Sequence, residues 1–175
     1  MKKLKERGSS TIKRAVESLN TPQEAFVENI GEVAVAVEKP VREKTQTINM
    51  RVSEKFQELM KTCAQKHNIA QKSFVQLSAL SMRSAGNEQI TQAWADLLKA
   101  DVGPATERAT FKSSAKFTEL VIPDLASRFN GNISLAFKAS AAYVAALPEE
   151  EAAALIREAI QVDLRMGYRL TAPFR

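Results

Sequence analysis

Cysteine and histidine each occur only once in these 175 residues, and each scarcity excludes a class of site. Cys63 cannot form a disulfide within the chain, and it falls on the apolar face of a predicted helix, where a buried thiol is expected. With His67 as the one histidine, no cluster of cysteine and histidine has the spacing of a metal site, so we expect no metal. Glycine-rich phosphate loops and a nucleophile paired with a base are also missing, so we expect neither a cofactor nor an enzyme.

Long hydrophobic runs are missing as well. No apolar stretch reaches the roughly 18 residues that a membrane span requires, and the lysines near the N-terminus are not followed by the apolar core of a signal peptide. Together with the lack of disulfides, these patterns predict a cytoplasmic protein with no membrane partner. Aromatic residues make up only 6% of the chain, so aliphatic residues and alanine must form most of the core.

Positive charge is concentrated in two regions of the chain. The formal net charge is +5, to which residues 1–20 contribute +4 and residues 38–83 contribute +5. Residues 21–37 carry −3, residues 84–147 are neutral and residues 148–175 carry −1. Two basic regions favour a polyanionic partner, although a solvated basic surface explains charge alone equally well.

A strand followed by two helices is predicted for residues 45–86. Residues 45–52 alternate between apolar and polar side chains and include several β-branched residues, which is typical of a strand with one buried face. Ser53 is positioned to cap a helix in which apolar residues recur at helical spacing. Asn68 suits the left-handed residue that ends this helix, and a second amphipathic helix is expected over 70–84.

The segments on either side of this unit have different characters. Residues 1–44 are expected to form a flexible basic arm with transient helix. Residues 87–103 are expected to contain a linking helix that ends at the breaker pair Gly103-Pro104, which is the predicted domain boundary.

Residues 104–175 are predicted to form a helical C-terminal domain. Alternation over 117–122 predicts a second strand within 111–122, and helices are expected over 133–147 and 148–166. A short helix is also expected over 123–129, followed by a turn over 130–132, so the order strand, helix, turn, helix is predicted to occur a second time in a weaker form. This region either is a degenerate repeat of the first unit or supports oligomerisation.

The segment TINMRVSEKFQELMKTCAQKHNIAQKSFVQLSALSMR, with its strand, serine cap, two apolar stripes and turn in this order, resembles the ribbon-helix-helix DNA-binding family of the Arc and MetJ repressors. In this family two strands pair into an antiparallel ribbon that enters the major groove. The resemblance implies a mainly α fold with a short β-ribbon. A lone strand would leave backbone groups unpaired, so its partner must come from a second chain or from a second copy in the same chain.

Carried over onto this sequence, the resemblance implies that Thr47, Asn49 and Arg51 contact DNA bases. Arginine can donate two hydrogen bonds to guanine, asparagine can pair with adenine, and threonine offers a hydroxyl and a methyl group to thymine. Without DNA binding, the same residues are the solvent face of an edge strand.

Phosphate contacts are implied at two places. The backbone N–H groups at the start of the second helix would bind a DNA phosphate, with help from side chains there. The residues concerned are Ala70, Gln71, Lys72 and Ser73. The basic arm would add contacts that do not depend on sequence. Its cations are Lys2, Lys3, Lys5, Arg7, Lys13 and Arg14.

The combined prediction is a non-enzymatic protein that binds specific double-stranded DNA as a homodimer or as an intramolecular pseudo-dimer. The possible roles are a transcriptional regulator or repressor and an accessory protein of plasmid conjugation or T-DNA transfer. A chain with two such units resembles the tandem ribbon-helix-helix proteins of that transfer process, which act in nucleoprotein complexes with other proteins. A partition or antitoxin component is a further alternative, and so is an all-α interaction or scaffold protein in which residues 45–52 are only a linker.

Overall fold

Residues 45–170, which the computed structural model describes, form a mainly helical fold with one two-stranded antiparallel sheet. The elements in chain order are β1 (Gln46–Val52), α1 (Glu54–Lys66), α2 (Gln71–Ser81), a 3-10 turn (Met82–Ser84), α3 (Asn87–Ala100), β2 (Glu107–Ser113), α4 (Ala115–Leu120), α5 (Ile122–Ser127), α6 (Ile133–Ala146) and α7 (Glu149–Met166). The predicted mainly α class with a short sheet is confirmed. The segment that could have been a linker is a strand, β1.

The two strands pair within one chain. Asn49 of β1 lies opposite Thr110 of β2, and the antiparallel register extends over all seven residues of each strand. This pairing satisfies the backbone groups on one edge of each strand. The partner that β1 requires is therefore supplied by the same chain.

The second strand lies earlier in the chain than its expected position. The alternation over 117–122 predicts a strand there, whereas the structure has β2 at Glu107–Ser113 and places Phe117 in α4. Phe117 and Val121 are four residues apart, so they lie on one face of a helical turn, and both are fully buried. The spacing that looked like alternation is helical, and the strand prediction for 117–122 is wrong.

Each strand begins a similar succession of elements. Ser53 accepts a hydrogen bond from the backbone N–H three residues later at 3.2 Å, and Ser114 accepts the equivalent bond at 3.3 Å. The following turn in each half contains an asparagine with positive φ, which is 52° at Asn68 and 53° at Asn130. The second half therefore repeats the order of the first, with the short helices α4 and α5 in the place of α1.

The later helices cross between the two halves. Helix α2 packs on α6, α3 packs on α6, and α7 packs on α2. One hydrophobic core runs through these contacts and includes residues from both sides of Gly103. Its fully buried phenylalanines come from both halves: Phe56, Phe74, Phe117, Phe129 and Phe137. The apolar residues of each half are thus covered by the other half.

Candidate nucleic-acid interface

Six side chains project from the exposed side of the two strands. Because side chains alternate along a strand, the residues between the buried positions all lie on the side away from the core. We call these six exposed residues the ribbon face: Thr47, Asn49, Arg51, Arg108, Thr110 and Lys112. The structure therefore brings the three predicted base-contacting residues together on one surface and adds three more from β2.

Alternation in the sequence does not predict these three residues of β2, because it places the second strand at 117–122 instead of at Glu107–Ser113. A signal for them exists in the sequence, since the pattern Ser-x-Lys-Phe occurs at 53–56 and again at 114–117. The positions two, four and six residues before the first serine are the predicted base-contacting residues. The same positions before the second serine are Lys112, Thr110 and Arg108.

The ribbon face carries three cations and no carboxylate. Arg51 and Arg108 occupy directly opposite positions of the two strands. Like charges at opposite positions destabilise a sheet. The ion pairs found among residues 45–170 involve other side chains, so no carboxylate in this range lies within 4 Å of the cations of Arg51, Arg108 or Lys112. This charge arrangement suits a surface that meets a polyanion.

At the centre of the ribbon face, two side chains of β2 donate hydrogen bonds to one side chain of β1. Arg108 donates from Nη2 to Oδ1 of Asn49 at 3.0 Å, and Thr110 donates from its hydroxyl to the same oxygen at 2.9 Å. Arginine has only donors, so the atom of Asn49 that faces Arg108 must be its oxygen. The orientation of the Asn49 amide is therefore determined by its partners.

Two long polar side chains hold the ribbon from beneath, in matching positions. Gln76, the sixth residue of α2, donates to the carbonyl of Lys112 at 3.2 Å, and Lys138, the sixth residue of α6, donates to the carbonyl of Arg51 at 3.1 Å. Arg51 and Lys112 are themselves the sixth residues of β1 and β2. A helix of the first half thus holds β2, and a helix of the second half holds β1. We call these two hydrogen bonds the braces; each is made to the backbone carbonyl of a cation of the ribbon face.

Lys138 also forms the most buried ion pair among the described residues. Its Nζ lies 2.6 Å from Oδ2 of Asp101, with 17% and 10% of the two side chains exposed. The other carboxylate oxygen of Asp101 accepts a hydrogen bond from the backbone N–H of Ser53 at 2.8 Å. Burial raises the pKa of Asp101, but the hydrogen bonds from Lys138 and Ser53 more than offset burial and lower it overall. Asp101 therefore ties the end of β1 to the end of α3 as a carboxylate.

The start of α2 has no side-chain cap, since Ala70 occupies the capping position. Lys72 is exposed and Gln71 is half-buried. A groove of about 220 Å³ lies between these two residues and Arg108 and Thr110 of the ribbon face. The open helix start and the ribbon face thus border the same groove, as a joint contact with one duplex would require.

Ser73 lies elsewhere than its predicted role requires. Its side chain is buried, and its hydroxyl donates to the carbonyl of Leu170 at 2.8 Å. The hydroxyl is therefore committed inside the protein and is not available to a phosphate. The predicted cations of the basic arm, Lys2, Lys3, Lys5, Arg7, Lys13 and Arg14, lie outside the described residues.

Among residues 45–170, no group of three or more histidine, cysteine, aspartate or glutamate side chains could hold a metal ion. No helix in this range is both long and apolar enough to cross a membrane.

Comparison of the chain with models of known protein families, with curated proteins and with solved structures found no match. The ribbon face and the braces beneath it are therefore the features from which a function can be inferred.

Proposed function

We propose that this chain is a sequence-specific DNA-binding protein, not an enzyme, that inserts its ribbon face into the major groove of double-stranded DNA. The observation that carries the proposal is the direct opposition of Arg51 and Arg108 on an exposed surface, where no carboxylate of residues 45–170 lies within 4 Å of either cation. An arrangement that destabilises the free protein is explained if a polyanion occupies this surface. The phosphates of DNA supply that charge, and the bases supply partners for the other side chains.

The two-stranded form of the sheet supports this mode of binding. The major groove is about 12 Å wide and admits a two-stranded ribbon. The face of such a ribbon that enters the groove must be polar, since it meets the edges of bases. All six residues of the ribbon face can donate hydrogen bonds: Thr47, Asn49, Arg51, Arg108, Thr110 and Lys112.

In this proposal one chain contains two ribbon-helix-helix units, each formed by a strand and the helices that follow it. The first unit is the one that resembles the Arc and MetJ family. The paired strands, the two serine caps and the matching braces of Gln76 and Lys138 support a second unit with the same plan. The chain would then bind DNA as an intramolecular pseudo-dimer.

Phosphate contacts would hold the ribbon in register. The uncapped N–H groups at the start of α2, together with exposed Lys72, would bind one phosphate beside the groove. The arm of residues 1–44 would contact other phosphates without regard to sequence. Such a protein would act as a transcriptional regulator or as an accessory factor in plasmid transfer, in a complex with other proteins.

The test is DNA binding by the full chain and by matched arginine variants. A duplex site is first selected from a random library, and its affinity is then measured by fluorescence anisotropy for the wild type, Arg51→Ala and Arg108→Ala. Each loss of a base contact should cost about 1–3 kcal/mol of binding free energy. Arg157→Ala is the control, because Arg157 is exposed on α7 and its removal changes the net charge equally.

The control variant should bind within about twofold of the wild type, since a lone surface charge away from the interface contributes little. Equal affinity of all four proteins for the selected site would contradict the proposal. So would the failure to select any site.

A further inference from the structure

We propose that Asn49 acts as a hydrogen-bond donor only, held in that state by Arg108 and Thr110, and that the base it reads is guanine rather than adenine. This inference rests on the proposed DNA binding. It also changes the expectation from the family resemblance, in which an asparagine at this position pairs with adenine.

The chemistry follows from the two hydrogen bonds at the centre of the ribbon face. An amide oxygen has two lone pairs, and Oδ1 of Asn49 already accepts from Arg108 at 3.0 Å and from Thr110 at 2.9 Å. Recognition of adenine by asparagine requires that oxygen to accept from the N6 amino group while Nδ2 donates to N7. With the oxygen saturated, only the two hydrogens of Nδ2 remain for a base.

Guanine is the base that matches a donor. Its major-groove edge presents two acceptors, O6 and N7, whereas adenine presents one acceptor and one donor. The amino group of adenine would therefore face Nδ2, donor against donor, or would have to displace Arg108 or Thr110 from Asn49. Arg108 uses one of its five N–H groups on Asn49, so its remaining donors reinforce the same preference.

The two halves of the ribbon face differ at this point, which gives the complex a direction on DNA. Asn49 and Thr110 are the fourth residues of β1 and β2 and lie directly opposite each other. A dimer of identical strands would place the same residue at both positions. Here an amide donor faces one strand of the duplex and a hydroxyl faces the other, so the selected site should not be a palindrome at its centre.

The experiment begins with site selection from a random duplex library by the full-length wild type and by Asn49→Ala. The base pair whose preference disappears in Asn49→Ala is the one that Asn49 reads. Duplexes with guanine or adenine at that position are then compared by fluorescence anisotropy. The wild type should prefer guanine by roughly 5-fold to 150-fold, the discrimination expected of a good base contact.

The decisive variant is the double substitution Arg108→Met with Thr110→Val, which keeps the shape of Thr110 and the unbranched stem of Arg108 but removes both donors to Oδ1 of Asn49. Its preference for guanine should fall at least fivefold, and adenine should become acceptable. Lys112→Ala is the control, because it removes a cation of the ribbon face that has no bond to Asn49; it should weaken binding to both duplexes and keep their ratio. Circular dichroism and thermal unfolding verify that each variant is folded.

A wild-type preference for adenine, or a guanine preference that survives in the folded double variant, would overturn the inference while leaving DNA binding intact. A wild type that binds the two duplexes equally would also overturn it. Failure of the wild type to bind any DNA would instead contradict the proposed function itself.

Discussion

Replacement of Asp101 by asparagine tests how much the buried ion pair of Asp101 and Lys138 contributes to the free energy of unfolding. The variant keeps an amide oxygen for the N–H of Ser53 but removes the negative charge 2.6 Å from Nζ of Lys138. Removal of one partner from a fully buried ion pair costs about 3–5 kcal/mol. Lys138 keeps 17% side-chain exposure and its bond to the carbonyl of Arg51, so we expect a smaller loss of about 2 kcal/mol, similar to that of a charged hydrogen bond.

The measurement is the free energy of unfolding from urea titrations followed by circular dichroism. A double-mutant cycle with Lys138→Met isolates the pair, and its coupling energy should be about 1–2 kcal/mol. The exposed pair of Lys61 and Glu58, at 51% and 69% side-chain exposure, is the control and should couple by less than about 0.5 kcal/mol. A coupling energy for Asp101 and Lys138 no larger than that of the control would refute the reasoning.

The same variant should show a distinct dependence on pH. The pKa of Asp101 is lowered in the folded protein from an ordinary value of 3.8, so its contribution to stability is present above that value and is lost as the pH falls through the lower, folded-state pKa. The difference in unfolding free energy between wild type and Asp101→Asn should therefore be constant near neutral pH and should shrink below about pH 4. A difference that stays constant down to acid unfolding would contradict this assignment.

Residues 1–20 carry six cations, so their deletion should reduce the slope of log affinity against log salt concentration by up to about 5. It should weaken binding to all DNA sequences equally, and a loss of affinity confined to one sequence would argue against a non-specific arm. Cys63 is buried, which raises the pKa of its thiol, so iodoacetamide should modify it only on unfolding; rapid labelling of the folded protein would contradict its burial. Because the strands pair within one chain, Tm should not change over a 100-fold dilution, whereas a fall on dilution would indicate pairing between chains.

Strong local signals made the first half of the described chain predictable. Ser53 caps α1 as its position before an apolar stripe indicates, and Asn68 has the left-handed conformation expected at the end of that helix. The helix expected over 70–84 is α2 continued by a 3-10 turn. In the second half, Gly167 ends α7 in the left-handed conformation with φ of 67°. Caps and helical spacing depend on neighbours in sequence, so they can be read without tertiary structure.

The second strand could not be found in the same way. The inward positions of β2 include Ala109 and Ser113, so Phe111 is its one large apolar side chain. Alternation is weak in such a segment, and the strand forms because β1 lies beside it. Alternation therefore indicates only the half of the ribbon face that β1 carries, and the half on β2 is indicated only by the repeated Ser-x-Lys-Phe pattern. The bonds of Asn49 depend on the register between the strands, which no local pattern contains.

Joining two similar halves in one chain allows the two ends of the ribbon to differ. Gln76 is neutral and braces β2 through the oxygens of Lys112 and Ser113, without a carboxylate. Lys138 is charged, and Asp101 neutralises it beneath the other end of the ribbon. Loss of the Asp101 charge should therefore weaken the support of the backbone at Arg51 and leave the support at Lys112 unchanged. A dimer of identical chains would lose both ends together, so this asymmetry is a consequence of placing both strands in one chain.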